Sequence, residues 1–194
     1  MNDLYDRQKS LELDYTMSVS VIGCGGVGYW VAKYLAMSGI EKLYLFDPDV
    51  LEESNLNRID LPVSCLGMNK ADATGLVIND IRPMTSVICF PFKYLKHTAI
   101  KTTWVIDCTD KIDAQILNQE IAHGLGCKYV KAGYDGTRIS VSDCVGEWGE
   151  SAGGYTVIPS WVVPASIVAA MTVAKVMKFK DKELSADISR MFIV

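Results

Sequence analysis

The chain has 194 residues, 49% of them apolar, and a formal charge of −4. That suits one well-buried domain spanning 1–194 and is short for two. The acidic balance disfavours a general nucleic-acid binder, since a polyanion is held mainly by Lys and Arg.

The opening stretch, "MNDLYDRQKSLELDY", is charged and polar rather than a secretory leader. Residues 19–23, "VSVIG", form a buried strand. Over 27–37 the apolar residues Val27, Trp30, Val31, Tyr34 and Leu35 recur at helical spacing, and Gly39 closes that helix. A second strand follows over 42–47, so the glycine-rich run "VIGCGGVG" sits inside a β-α-β unit. Residues 48–69 carry no regular period. A helix is expected over 70–81, stopped by Pro83, then strands over 86–92 and 103–108, and a helix over 114–125 ended near Gly124 and Gly126. The stretch 128–145 reads as two strands around an Asp135-Gly136 turn. A glycine-rich loop fills 146–160. A long apolar helix begins near Pro164 and runs to 177; it is short for a bilayer span and carries Ser166, Thr172 and Lys175. The last strand is expected over 186–194. Strands alternating with helices, then a hairpin, predict an α/β fold: a Rossmann-like, mainly parallel sheet with helices on both faces and an antiparallel C-terminal part.

Gly23-x-Gly25-x-x-Gly28 fits a dinucleotide fingerprint: the first glycine for the tight turn, the second for approach of backbone to phosphate, the third for helix–sheet packing. Asp47 ends the second strand where an acid usually takes a ribose hydroxyl. To this point NAD and ATP are served equally, although Gly26 is not required for NAD. The residues beyond the second and fourth strands break the tie. Asp47, Asp49, Asn55, Asn57 and Arg58 follow the second strand, Lys70 opens the next helix, and Asp107 and Asp110 end the fourth strand. All lie at the carboxyl edge of a parallel sheet, where α/β sites form. Hydride transfer needs no such set of cations and acids; attack on a phosphate does.

The pieces "GCGGVG", "FDPDVLEESNLNR", "GMNKADA", "VIDCTD", "VVPASIVAAMTVAKVMK" and the early "LYDRQ" together resemble the ThiF/MoeB/HesA family, bacterial relatives of ubiquitin-activating enzymes. The resemblance implies an ATP- and Mg²⁺-dependent adenylyltransferase acting on the C-terminal carboxylate of a small ubiquitin-like or sulfur-carrier protein. It implies that Gly23, Gly25, Gly26 and Gly28 cradle phosphates, that Asp47 binds ribose with Asp49 beside it, and that Asn55, Arg58 and Lys70 meet the phosphates. It makes Asp110 the Mg²⁺-linked acid, and Arg7 an arginine that a homodimer contributes across its interface. Leu4 and Ile59 depart from the family's usual Arg and Gln. Alternatives are adenylation of a peptide or tRNA-linked carboxylate, and a non-catalytic nucleotide-binding scaffold paired with an active paralogue.

The six cysteines, at 24, 65, 89, 108, 127 and 144, form no CxxC pair, so no zinc is expected, and their scatter fits a reducing cytoplasm. No cysteine lies in 146–160, and Cys144, in an apparent strand, is expected to be a small buried hydrophobe. Trp148 and Trp161 flank the glycine-rich loop, and either grip a partner's tail or pack locally.

Overall fold

The computed structural model describes residues 4–145, 159–179 and 184–187. The chain opens with a 3₁₀ turn, Asp6–Leu11, followed by strand β1 (Ser18–Ile22), helix α1 (Gly26–Met37) and strand β2 (Lys42–Phe46). Gly39, at φ +100°, closes α1 from the left-handed region that only glycine enters freely. The irregular stretch after β2 holds two further 3₁₀ turns, Glu53–Asn55 and Val63–Cys65, before α2 (Lys70–Ile81), β3 (Ser86–Phe90) and β4 (Trp104–Asp107). Helix α3 (Ile112–Gly124) begins two residues before the periodicity suggests. Strands β5 (Lys128–Asp135) and β6 (Arg138–Ser142) turn at Gly136. Helix α4 (Val162–Met177) starts two residues before Pro164. The proline still falls in the first turn, where a helix has no use for its missing N–H. Strand β7 (Leu184–Asp187) overlaps the expected last strand at two positions; residues 188–194 lie outside the described part, as do 146–158.

The seven strands lie in the order β3-β2-β1-β4-β5-β6-β7. The first five are mutually parallel, and β5-β6-β7 are antiparallel. Alternation along each strand separates two cores. Val19, Val21, Leu43, Leu45 and Ile106 face α1, α2 and α4. Ile22, Phe46, Val105 and Tyr129 face α3 and the crossover segment around Tyr94. Because strand order reverses between β1 and β4, their connections leave on opposite sides and open a crevice at the carboxyl edge.

At the opposite edge the N-terminal arm is docked. Gln8 Nε2 donates to the Ser38 carbonyl (2.7 Å), Tyr5 packs on Gly39, and Lys178 Nζ donates to the Leu11 carbonyl (2.5 Å).

Candidate active site

The turn between β1 and α1 is built by two bonds from backbone N–H groups, one to a carbonyl and one to a carboxylate. Gly23, at φ +84°, donates its N–H to the Phe46 carbonyl (2.8 Å), and Cys24 donates its N–H to Asp47 Oδ2 (2.6 Å). Gly28 cannot carry a Cβ, which would run into the Gly23 carbonyl. Gly25 precedes α1 with no side-chain cap, and a Cβ built on it meets nothing within 4 Å among the described residues. Helical geometry leaves the N–H groups of Gly26, Val27 and Gly28 without intrahelical acceptors. Open space above unpaired donors at the positive end of a helix suits a phosphate.

Asp47 is 4% exposed. Its Oδ1 accepts from the Asp49 N–H (2.8 Å), so both carboxylate oxygens hold backbone. Burial pushes its carboxyl above the usual range, against the pull of those two N–H groups. Asn69 ties this turn to α2. Its Oδ1 caps the helix, accepting from Ala71 (2.9 Å) and Asp72 (3.3 Å), while its Nδ2 donates to the Asp47 (2.7 Å) and Asp49 (3.0 Å) carbonyls. Lys70 follows, its Nζ paired with Asp49 Oδ2 at 3.2 Å. These residues border a cleft of about 480 Å³ lined by Pro48, Asp49, Val50, Glu52 and Lys70.

Arg58 reaches the same edge from the irregular segment. Its stem lies across Gly26: a Cβ there would stand 2.9 Å from Arg58 Cδ and 3.2 Å from Cγ. This is the structural use of the additional glycine. The guanidinium Nη1 donates to the Ser54 carbonyl (2.8 Å) and to Asn57 Oδ1 (3.0 Å). Asn55 is buried, and its Oδ1 accepts from the Glu52 N–H (3.1 Å), closing a reciprocal cap on the short turn ahead of Arg58.

After β4, Asp107 is fully buried and accepts four bonds: from Thr109 N (2.9 Å), Thr109 Oγ1 (2.7 Å), Asn118 Nδ2 (2.9 Å) and the Tyr129 hydroxyl (3.0 Å). It shapes the turn that packs Cys108 and Thr109 against Gly23, and Asp110, exposed, follows directly on that turn at the carboxyl end of β4. Among the described residues no group of three or more His, Cys, Asp or Glu side chains is placed to hold a metal. Mg²⁺ favours one or two carboxylates plus phosphate oxygens, and Asp110 is an exposed carboxylate on this edge that could hold it once phosphate is bound.

The structure therefore brings Gly23, Gly25, Gly26, Gly28, Asp47, Asp49, Arg58, Lys70 and Asp110 to one edge, with Asn55 supporting it. Arg7 is not among them. It is exposed on the 3₁₀ turn docked beside Ser38, at the far end of α1, and twelve helical residues span about 18 Å. The reading of Cys144 as a buried hydrophobe is corrected. Strand β6 ends at Ser142, whose Oγ takes the Cys144 N–H (3.4 Å), and this bend turns the thiol outward. Trp161, just before α4, is half exposed, and the carbonyl of the preceding Ser160 accepts from Asn57 Nδ2 (2.9 Å); Trp148 lies outside the described residues.

With this geometry in hand, the model of the ThiF family matches residues 5–150, three quarters of the chain. The chain belongs to the ThiF family. Its similarity to "Adenylyltransferase and sulfurtransferase UBA4" of Eremothecium gossypii is 33% identity over 129 residues, covering 64% of this chain and 29% of that protein. To the "tRNA threonylcarbamoyladenosine dehydratase" of Bacillus subtilis it is 33% over 117 residues, covering 57% and 46%. The chain thus spans less than half the length of these curated relatives. In fold it is similar to Escherichia coli MccB solved with AMPCPP and MccA: TM-score 0.79 at 18% identity, over 96% of this chain and 72% of MccB. This ThiF chain shares the family's Rossmann-like sheet, helices on both faces and antiparallel end.

Asn69 and Trp30 are the site's neighbours that sequence reasoning missed. Asn69 had a signal, an Asn directly before a helix. Trp30 had none, because helical spacing assigns it only to an apolar face.

Proposed function

We propose that this ThiF chain, as one domain over 1–194, is an ATP-dependent adenylyltransferase. It activates the C-terminal carboxylate of a small ubiquitin-like or sulfur-carrier protein as an acyl-adenylate and releases pyrophosphate. The observation that carries the reading is Arg58 lying across Gly26 beside an open glycine turn, with Lys70 and Asp110 on the same edge. A peptide C-terminus has a pKa near 3.5 and is ionised at neutral pH, so it needs no general base. Its oxygen attacks the α-phosphorus and the bond to the pyrophosphate oxygen breaks. The carboxylate must be relieved of repulsion by the triphosphate and held in line. Arg58 and Lys70 supply positive charge to phosphate oxygens, the N–H groups of α1 hold them, and Asp47 with Asp49 beside it orients the ribose. Mg²⁺ held at Asp110 would supply further neutralisation of the leaving group.

Arg7 lies far from its own chain's crevice, so any part it takes in adenylation is in the site of a second copy, as in a homodimer. Among the described residues no helix is long and apolar enough to cross a membrane, and the reading places the protein in the cytoplasm with no membrane partner, no zinc and no nucleic acid held by a basic face. The similarity to a tRNA-modifying dehydratase supports a second reading, in which the carboxylate is linked to tRNA.

ATP–pyrophosphate exchange tests the proposal. Exchange should require a carrier protein with a free C-terminal carboxylate and vanish when that carboxylate is amidated. Tight NAD binding with no ATP binding would overturn the reading; exchange driven by a carboxylated tRNA and by no carrier would select the second one.

A further inference from the structure

We infer that Trp30 is a positioning residue for Arg58, and that the second and third turns of α1 set where its guanidinium stands over the glycine turn. The inference rests on the reading that Arg58 meets nucleotide phosphate.

Arg58 sits in a stretch with no regular structure, between the Glu53–Asn55 turn and Pro62. A long cation on such a loop has many rotamers to lose, and its usefulness depends on how firmly its backbone is held. Three successive residues of the loop are fixed to α1. The Arg58 carbonyl accepts from Trp30 Nε1 at 2.8 Å. The Ile59 side chain is buried in a cluster with Tyr29, against which Trp30 packs. The Asp60 carboxylate accepts from the Tyr29 hydroxyl and pairs with Lys33 Nζ at 2.6 Å. The indole is fixed in turn: Tyr29 meets it edge-on with centroids 5.2 Å apart, Tyr34 lies 5.6 Å away, and the Lys33 ammonium stands 5.1 Å from its centre.

The Arg58 stem then returns to the same helix one turn earlier, across Gly26. One rigid element carries both the donors that face the phosphate and the anchor of the cation beside them, so their spacing is set before nucleotide arrives. The Ile59 and Asp60 anchors hold the loop as a whole. The Trp30 bond acts on the peptide of Arg58 itself, which is why an indole N–H is informative where any apolar ring would fill the space.

A double-mutant cycle tests this, with ATP affinity by calorimetry and the KM and kcat of pyrophosphate exchange as readouts. Trp30→Phe keeps the ring and removes the donor. In the wild-type background it should weaken ATP binding about three- to tenfold, raise KM with it, and leave the thermal midpoint within a few degrees. In an Arg58→Ala background it should change affinity by less than about 1.5-fold, because nothing remains to be positioned. Equal losses in both backgrounds would overturn the positioning role and leave the reading of Arg58 standing. Wild-type affinity in Arg58→Ala alone would overturn the reading of Arg58 and the inference with it. If Trp30→Phe fails to fold, Trp30→Met, which also removes the donor to the Arg58 carbonyl, runs the same cycle with the same outcomes.

Discussion

Gly26→Ala isolates the contact that decides the functional reading. The added methyl would stand 2.9 Å from Arg58 Cδ, 3.2 Å from Cγ and 3.3 Å from Nε. Carbon pairs settle near 3.5–4.0 Å, so the stem must back away by roughly 0.6–1 Å. The helix itself need not move, because Gly26 is the first residue of α1 and alanine is favoured over glycine in a helix by up to about 1 kcal/mol. Pushing the stem off its rotamer costs about 0.5–1.5 kcal/mol. Losing a charge-assisted bond from guanidinium to phosphate costs about 1.5–3 kcal/mol. A combined loss of about 2–4.5 kcal/mol is roughly 30- to 2,000-fold in kcat/KM. The assay is pyrophosphate exchange with a thermal melt on the same preparation. The expected result is this loss of exchange with an unchanged or slightly raised midpoint. Exchange within threefold of wild type would refute the role given to the Arg58–Gly26 contact. Gly25→Ala is the companion: its Cβ meets nothing within 4 Å among the described residues, so it should fold normally and weaken ATP alone.

Mixed dimers test Arg7. Arg7→Ala and Asp110→Ala should each be inactive, and co-refolding equal amounts should give about half mixed dimers with one intact site each, restoring roughly a quarter of wild-type activity; no recovery despite demonstrated mixing would exclude a role across an interface. Thiol labelling at pH 8 should modify Cys144 first, since burial pushes the Cys24 and Cys108 thiols well up and Cys89 to about 11; Cys144→Ser should remove the fast phase and spare pyrophosphate exchange. Burial lowers the Lys131 ammonium from 10.5 to about 8 against the pull of Asp107. Between those values the unfolded chain binds more protons, so this group's contribution to stability rises with pH. The urea midpoint of wild type relative to Lys131→Met should drift in favour of wild type from about pH 8 to 10.5, and a pH-independent difference would refute that assignment.

The sheet was legible because its strands, buried on both faces, stand out as short apolar runs between helical periods, and the crevice because Gly23, Gly25 and Gly28 occur at the end of one of them. Element ends were less so. Helix α4 starts at Val162 because nothing in the first turn needs the proline to come first, and α3 starts at Ile112, whose side chain is half exposed and therefore adds little to an apolar period. Cys144 misled because the expected strand ran on to Val145, while β6 ends at Ser142, which takes the next amide but one. The support of the site was hidden for a different reason. The Trp30–Arg58 bond and the Asp60 anchor join residues about thirty apart, and the Asn69–Asp47 bond joins residues 22 apart, with no local pattern linking them. Pairings of that kind exist only once the chain has folded.

The Asp47 carboxylate has a further effect. It is bonded to the amide of Cys24, directly behind the turn that we propose receives phosphate. A negative group in that place works against any anion that arrives alone. Free sulfate or inorganic phosphate meets this repulsion with only the helix end to offset it, whereas a nucleotide brings a sugar that the same carboxylate can hold. On the proposed function, this arrangement would favour a nucleotide over the abundant small anions of a cell, and would ease the departure of pyrophosphate once it is cut from the nucleoside.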